Sequence, residues 1–194
     1  VVQFLGVPIL YSPWLSFPLN SARKTGFLAP TVGSSGRGGF EVAIPWYWNI
    51  AENQDATITP KLFSKRGLQV GGEYRYLRPT FGGQADVEFL PNDAIADRDR
   101  YLLTLKHAHQ LPLGWSLGIN AQRVSDDNYF RDLSTRVAAT SQTNLPRDAI
   151  LAYNDDTWAV SARAVAYQTL QDPLSPVTVP YRQVPQGLVS HGER

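Results

Sequence analysis

Two pairs of carboxylates have the residue types and spacing that could support acid–base chemistry. Asp86 lies two residues before Glu88, and Asp126 is followed directly by Asp127. Such a pair can divide the work of a general acid and a general base. A plainer explanation exists for both, because Asp86 and Glu88 share one face of a strand pattern and the other pair falls in a turn signal. We therefore predict no catalytic residue.

Two histidines, His107 and His109, are spaced to lie on one face of a strand. Two imidazoles on one face could begin a metal site. No further ligand cluster is apparent, and no Ser-His-Asp arrangement can be identified from spacing. We predict no metal and no cofactor, and we expect these histidines to be polar lining.

A glycine-rich run extends from Val32 to Gly39 and is flanked by Arg23, Lys24 and Arg37. No helix pattern follows it and no Lys-Ser/Thr pair ends it, which argues against a phosphate-binding P-loop. We interpret the run as a hinge between domains. The three cations could pair with phosphate groups, although solvated linker charges explain them equally well.

The composition excludes several classes of protein. Lys and Arg number 18 and Asp and Glu number 17, so the net charge of +1 gives no case for a nucleic-acid partner. The absence of cysteine excludes a disulfide framework within the chain. No stretch of about 18 apolar residues is present, so no transmembrane helix is predicted. The N-terminus lacks the features of a signal peptide, and we expect the chain to be an excerpt of a longer protein or a processed product.

The elements that must position these residues are strands, because apolar and polar residues alternate along most of the chain. This period of two predicts an all-β fold of antiparallel strands joined by short turns. Candidate strands lie at roughly 40–50, 56–65, 67–77, 82–90, 100–110, 113–124, 135–142 and 150–170. The last window could hold two short strands, and the C-terminal end has no strand pattern.

The same alternation suits either a membrane barrel or a soluble β-sandwich. Several strands reach about 9–11 residues, the length that a tilted strand needs to cross a bilayer. The apolar parity also carries aromatic residues near strand ends, as outer-membrane barrels do: Trp46, Trp48, Tyr74, Tyr76, Tyr101, Trp115 and Trp158. The polar parity carries charges in mid-strand: Glu41, Lys61, Glu73, Arg75, Asp86, Glu88 and Arg163. The pattern favours the membrane barrel.

Two prolines, Pro45 and Pro60, stand inside alternating strand patterns. Proline has no N–H, so each removes a hydrogen bond from the ladder and is normally confined to edges and bulges. Such a residue would be a defect in a sealed barrel, whereas it would weaken a seam in a barrel that must open. A bulge or strand-end proline without a role is the alternative.

A succession of motifs resembles the LptD family of LPS-assembly proteins. The motifs are LGVPILY at 5–11, PWLSFP at 13–18, RKTGFLAP at 23–30, GSS at 33–35, GGFE at 38–41, IPWYWNIA at 44–51, DATITP at 55–60, SKRGL at 64–68, FLPND at 89–93 and RVSDDNYF at 123–130. The match is dense over the first half of the chain, while residues 187–194 fall outside the family pattern.

The resemblance implies the end of a periplasmic β-jellyroll (1–20), a connection (21–39), the first strands of a large outer-membrane barrel of about 26 strands (40–182) and a tail (183–194). It implies transport of lipopolysaccharide into the outer leaflet of the outer membrane, without enzymatic activity. The implied partners are lipopolysaccharide, outer-membrane lipids, the plug lipoprotein LptE and the periplasmic bridge protein LptA.

The resemblance also assigns roles to single residues. Pro45 and Pro60 match the family's lateral-gate prolines, and Arg23, Lys24 and Arg37 become candidate contacts for lipid A phosphates. Three alternatives stay open. A passive porin would lack the jellyroll-like entry, an outer-membrane lipid hydrolase would need a nucleophile and a base on one face, and a soluble sandwich would dissolve without detergent.

Overall fold

The computed structural model describes residues 2–4, 7–10, 23–134, 143–171, 178, 180 and 183–191. Its strands are β1 (Val2–Phe4), β2 (Val7–Leu10), β3 (Gly26–Phe27), β4 (Thr31–Ser35), β5 (Gly39–Ala43), β6 (Trp46–Ala51), β7 (Gln54–Phe63), β8 (Gly67–Leu77), β9 (Phe81–Asp93), β10 (Arg98–Gln110), β11 (Trp115–Val124), β12 (Asn144–Asn154), β13 (Trp158–Thr169) and β14 (Gln183–His191). A single helical turn, α1 (Tyr129–Leu133), lies in the described chain after β11. The prediction of an all-β antiparallel fold is confirmed.

Twelve of the strands form one antiparallel sheet, ordered β14-β13-β12-β11-β10-β9-β8-β7-β5-β4, with β6 beside β7 and β3 beside β6. From β7 to β14 every strand pairs with the next along the chain. Short turns join the strands from β7 to β11 and β12 to β13, as expected for hairpins, whereas residues 125–143 separate β11 from β12 and residues 170–182 separate β13 from β14. β1 and β2 form a separate two-stranded sheet. No helix of the described residues is long and apolar enough to cross a membrane.

The first strand of the predicted barrel is divided in two. β5 pairs with the C-terminal half of β7 and β6 pairs with its N-terminal half, with Ile44 and Pro45 between them. β4 and β3 in turn pair with β5 and β6. The connection predicted at 21–39 therefore contributes two strands to the same sheet. β4 has no clear alternation of apolar and polar residues, because most of its residues are small Gly and Ser. It lies at the end of the sheet order, where a strand needs little apolar surface.

The predicted strand boundaries hold to within a few residues from β7 to β11. The window 150–170 resolves into β12 and β13, and β12 begins earlier than predicted, at Asn144. The predicted strand at 135–142 lies outside the described residues. The expectation of no strand at the C-terminal end is wrong, since β14 pairs with β13 from Trp158↔His191 to Val165↔Gln183.

A compact apolar core lies at one end of the sheet, under α1. Tyr129, Phe130 and Leu133 of the helix turn are buried against the strands. The complete cluster is Phe63, Leu90, Leu102, Val124, Tyr129, Phe130, Leu133, Leu145 and Leu170. Elsewhere the apolar side chains of the sheet are largely exposed, so this core fixes one end of the sheet without covering a whole face.

Candidate functional site

The sheet has one apolar face and one polar face. Residues opposite each other on antiparallel strands project to the same side, so the pairing register assigns each side chain to a face. Large exposed side chains mark the apolar face: Phe40, Ile44, Trp48, Ile58, Leu62, Leu68, Val70, Tyr74, Val87, Phe89, Leu103, Leu105, Trp115, Leu151 and Trp158. The residues of this face are every second residue, counted from the first, of the ranges 40–50, 56–62, 68–76, 81–89, 101–109, 115–123, 147–153 and 158–166. None of these residues is Lys, Asp or Glu.

Such a face is unlike the surface of a water-soluble domain, where large apolar patches are rare. Nine strands, β5 to β13, contribute to it, and aliphatic side chains fill its middle, as expected of a surface that contacts lipid. The free energy of exposing it to water would be large, at about 25 cal/mol for each Å². The face therefore requires an apolar environment.

Aromatic rings and histidines form a band along one end of the apolar face. The ring centroids of Tyr74 and Tyr76 are 5.5 Å apart, and those of Trp115 and Tyr153 are 5.2 Å apart. His107 belongs to this band, since its Nδ1 lies 2.7 Å from the Tyr76 hydroxyl oxygen. Tyr and Trp favour the boundary between lipid and water, because one end of the side chain is apolar and the other forms hydrogen bonds. Most of the predicted strand-end aromatics lie here.

The histidines do not form a metal site in the described chain. No group of three or more His, Cys, Asp or Glu side chains there could hold a metal ion. The rings of His107 and His109 are 5.8 Å apart, and Phe81 packs between them at 6.2 and 5.1 Å. They lie on the apolar face rather than in the polar lining, and the prediction of their surroundings is corrected accordingly. The reason is the strand register: Phe81 lies opposite His109 and the Tyr76 hydroxyl contacts His107, so both histidines project to the same face as these aromatic rings.

The polar face carries the predicted charges, and most of them form ion pairs. Lys61 Nζ lies 2.9 Å from Glu41, and Arg75 Nε lies 2.8 Å from Asp55. Arg163 pairs with Asp148. A cavity of about 580 Å³ opens on this face beside α1. Its lining mixes both signs of charge with hydroxyl and amide groups: Thr57, Thr59, Lys61, Gln69, Glu73, Gln84, Asp86, Glu88, Thr104, Lys106 and Gln122.

A buried ion cluster fixes α1 at one end of the polar face. The fully buried guanidinium of Arg100 donates to Asp126 at 2.8 and 2.9 Å, to Asp132 at 3.0 Å and to Asp93 at 3.2 Å. Arg66 approaches the same Asp93 at 2.7 Å. Burial alone would raise the pKa of the Asp126 carboxyl, but hydrogen bonds from Ser125 and Arg100 lower it overall.

A second polar contact ties α1 to the sheet. The Tyr129 hydroxyl donates to Glu88 at 2.6 Å and accepts from Gln69 Nε2 at 3.0 Å. Burial, together with the adjacent Glu88 charge, raises the pKa of Tyr129 far above its usual value, so the phenol is a donor at any ordinary pH. The carboxylates Asp86 and Glu88 thus belong to the cavity lining, and Asp126 belongs to the ion cluster. Sequence analysis missed Arg100 as its centre, because its partners come from separate segments: Asp93 ends β9, Asp126 lies in the loop after β11 and Asp132 lies in α1.

The two prolines interrupt hydrogen bonding at the start of the sheet. The Ile44 N–H donates to the Pro60 carbonyl at 3.1 Å, but proline has no N–H to return the bond. On the other edge, the Leu28 N–H donates to the Pro45 carbonyl at 2.8 Å, and again no bond returns. Paired residues at such positions normally exchange two bonds. Pro60 therefore weakens the contact between β5 and β7, and Pro45 weakens the outer edge of the first strand.

The three predicted phosphate contacts are not brought together. Arg23 donates to Asp55 at 2.9 Å and to the Glu52 carbonyl at 2.6 Å, near the turn after β6. Lys24 follows it and is exposed. Arg37 lies in the turn between β4 and β5, at the opposite end of these strands, and donates to the Arg131 carbonyl.

Comparison with known proteins extends these observations. The chain is 43% identical over 190 residues to the LPS-assembly protein LptD of Nitrosomonas eutropha, which covers 95% of this chain and 26% of the relative. It is 48% identical over 193 residues to that of an Azoarcus species, covering 97% of this chain and 23% of the relative. A family model described as LPS transport system D matches residues 98–191. The chain belongs to the LptD family.

The LptD family match also corrects one detail of the sequence analysis. It reaches residue 191, so Gly187 to His191, which we placed outside the family pattern, fall within the matched region. The chain spans about a quarter of the length of the curated LptD relatives that it matches.

Proposed function

We propose that this chain is part of an outer-membrane barrel that delivers lipopolysaccharide to the outer leaflet. The observation that carries the proposal is the similarity of nearly the whole chain to proteins named LPS-assembly protein LptD. The two-faced sheet supports it. Its apolar face, free of carboxylates at the positions described above, suits contact with lipid, and its polar face suits a water-filled lumen.

In this proposal the first strand, formed by β5 and β6, borders the exit for lipopolysaccharide, and Pro45 and Pro60 are the lateral-gate residues. A lateral exit needs a seam whose strands separate at low cost. Pro45 supports this role because it offers a carbonyl but no N–H to the neighbouring strand on the outer edge. Pro60 supports this role because its missing N–H weakens the pairing of the first strand with β7. The first strand can then move while β7 and the strands after it stay in place.

The remaining assignments follow from the family. Residues 1–20 end a periplasmic jellyroll, residues 21–39 connect it to the barrel, and residues 183–194 follow the strands 40–182. LptA supplies lipopolysaccharide from the periplasm and LptE fills the lumen, where the mixed charges of the polar face offer it hydrogen bonds. Lys24 and the guanidinium groups of Arg23 and Arg37 contact lipid A phosphates in passing, which for Arg23 requires exchange of its bond to Asp55.

Depletion of the intact protein tests the proposal against its alternatives. We expect newly made, pulse-labelled lipopolysaccharide to stop reaching the cell surface, because in this proposal the barrel is its route to the outer leaflet. Unchanged delivery together with slower uptake of small sugars would contradict the proposal and favour a porin. Unchanged delivery with altered acyl chains on surface lipid would contradict it and favour a hydrolase.

A further inference from the structure

The apolar face carries two side chains that lipid contact alone does not explain, Arg123 near the end of β11 and Arg147 near the start of β12. Arg123 lies opposite Leu103 of β10, and Arg147 lies opposite Ala121 of β11. Since Ala121 and Arg123 are two residues apart on one strand, the two arginines occupy diagonal positions on neighbouring strands. Long side chains at such positions can reach the same group.

Neither arginine has an acidic partner within the described residues. Arg147 donates only to the neutral amide oxygen of Gln168, at 3.3 Å, and Arg123 forms no ion pair there. On the polar face, by contrast, Arg100 and Arg163 each form an ion pair with a carboxylate. At the alternating positions of the apolar face defined above, Arg123 and Arg147 are the two residues with a permanent charge.

The position of the pair along the strands matches a membrane boundary. Trp115 and Tyr153 mark the aromatic band at one end of β11 and β12, and the arginines lie at the other end. Eight residues separate Trp115 from Arg123, about 26 Å along the strand or about 20 Å after tilt. The apolar band of an outer-membrane barrel is about 25 Å tall, and an extended arginine side chain spans the remaining distance to the headgroups.

Two adjacent cations at that depth repel each other unless an anion lies between them. The anions of the headgroup layer are phosphates, and the planar guanidinium group binds phosphate through two parallel hydrogen bonds. Around Arg147 the surroundings leave room for such a group, since Ala121, Ala149 and Ala166 are small, whereas Leu103 lies opposite Arg123.

We infer that Arg123 and Arg147 form a binding site for the phosphate of a membrane lipid headgroup, whose acyl chains lie along the apolar face. The site would hold one lipid in place on the outer wall of the barrel, beside β11 and β12. This inference rests on the proposed function only in that the apolar face meets lipid.

Lipid titration of the intact, detergent-purified protein tests the site, with bound lipids counted by native mass spectrometry. The probes are phosphatidylglycerol, diacylglycerol as the matched lipid without phosphate, and inorganic phosphate. We expect the first phosphatidylglycerol to bind about 30-fold more weakly to the R123Q/R147Q double variant, because both guanidinium groups that bind the phosphate are removed. The R123K/R147K variant should bind more tightly than the glutamine variant, because it keeps both charges. R78Q removes a cation from the turn before β9 and should bind as the wild type does.

Three results would overturn the inference: equal affinity of the wild type and R123Q/R147Q, equal binding of diacylglycerol, or inorganic phosphate binding as tightly as the lipid. Unchanged heat-modifiable migration on gels establishes that each variant is folded. If the glutamine variant does not fold, the lysine variant is compared with the wild type and should bind phosphatidylglycerol more weakly, because an ammonium group cannot form the two parallel hydrogen bonds of a guanidinium group. A fluorophore at L105C, quenched by brominated lipid, separates the two proposals. Quenching with no effect of R123Q/R147Q rejects this site alone, whereas absence of quenching rejects the lipid-facing surface itself.

Discussion

Replacing Pro45 by alanine should strengthen the outer edge of the first strand. The Pro45 carbonyl already accepts the Leu28 N–H at 2.8 Å, so the two residues occupy a position at which two bonds are normally exchanged. Alanine restores the missing donor. The same reasoning applies to Pro60, whose carbonyl accepts the Ile44 N–H at 3.1 Å. The added N–H of residue 45 points to the outer edge whichever strand pairs there in the intact protein.

The magnitude follows from one hydrogen bond for each substitution. A typical bond contributes about 1 kcal/mol net, and more where water is excluded. The bond at Pro45 faces the seam, so it adds about 1 kcal/mol to the cost of opening and lowers the open fraction roughly 5-fold, whereas the bond at Pro60 holds the first strand to β7. Alanine also loosens the unfolded chain, at a cost of about 0.4–1 kcal/mol for each site. That term acts on folding and leaves the opening of a folded seam unchanged.

The assay compares the intact P45A/P60A protein with the wild type in cells. We expect slower arrival of pulse-labelled lipopolysaccharide at the surface and leakage of large antibiotics through the outer membrane. Hydrogen exchange at residues 43–47 should slow in parallel. P79A is the matched control, because Pro79 lies in the bend between β8 and β9 and lacks a ladder position. Slower exchange with normal export and normal impermeability would refute the assignment of these prolines to a gate.

The ion cluster under α1 supports further predictions. Arg100→Met should lower the free energy of unfolding by about 3–5 kcal/mol in a denaturant titration, because it leaves buried carboxylates without their cation. A decrease below about 1 kcal/mol would contradict a stabilising role of the ion cluster. Tyr129→Phe should speed hydrogen exchange of α1, because it removes the hydrogen bond from the Tyr129 hydroxyl to Glu88, worth about 1–3 kcal/mol, and leaves only the Gln69 amide as donor. Tyr153→Phe, whose exposed hydroxyl contacts a turn, should not. The lowered pKa of Asp126 means that its contribution is complete above the unfolded value of about 3.9 and is lost as pH falls below it. The protection of α1 amides, which is the slowing of their exchange relative to an unfolded chain at the same pH, should therefore fall below about pH 3.9. Equal protection at pH 7 and pH 3 would argue against the ion pair.

Much of the sheet was predictable because a strand's two faces are a local property. Side chains alternate with a period of two, so Ile58 and Leu62 or Leu103 and Leu105 indicate a strand and its apolar face without any knowledge of neighbours. Turn residues mark where these strands end. The same local rule identifies Pro45 and Pro60 as residues that cannot complete a ladder, although not which edge each one weakens.

The rest depended on pairing between distant segments. β4 and β14 lack a strong alternating pattern, and their hydrogen bonds to β5 and β13 define them as strands. Arg100 meets Asp93, Asp126 and Asp132 only when the end of β9, the loop after β11 and α1 come together, and no spacing in the chain encodes that meeting. The pairing of Arg123 with Arg147 likewise depends on the register of β11 against β12, since a shift of one residue would place one arginine on the opposite face. The chain by itself determined two-faced strands, and the tertiary structure decided which charges share a face, a cluster or an edge, because register is fixed by contacts between strands and not within them.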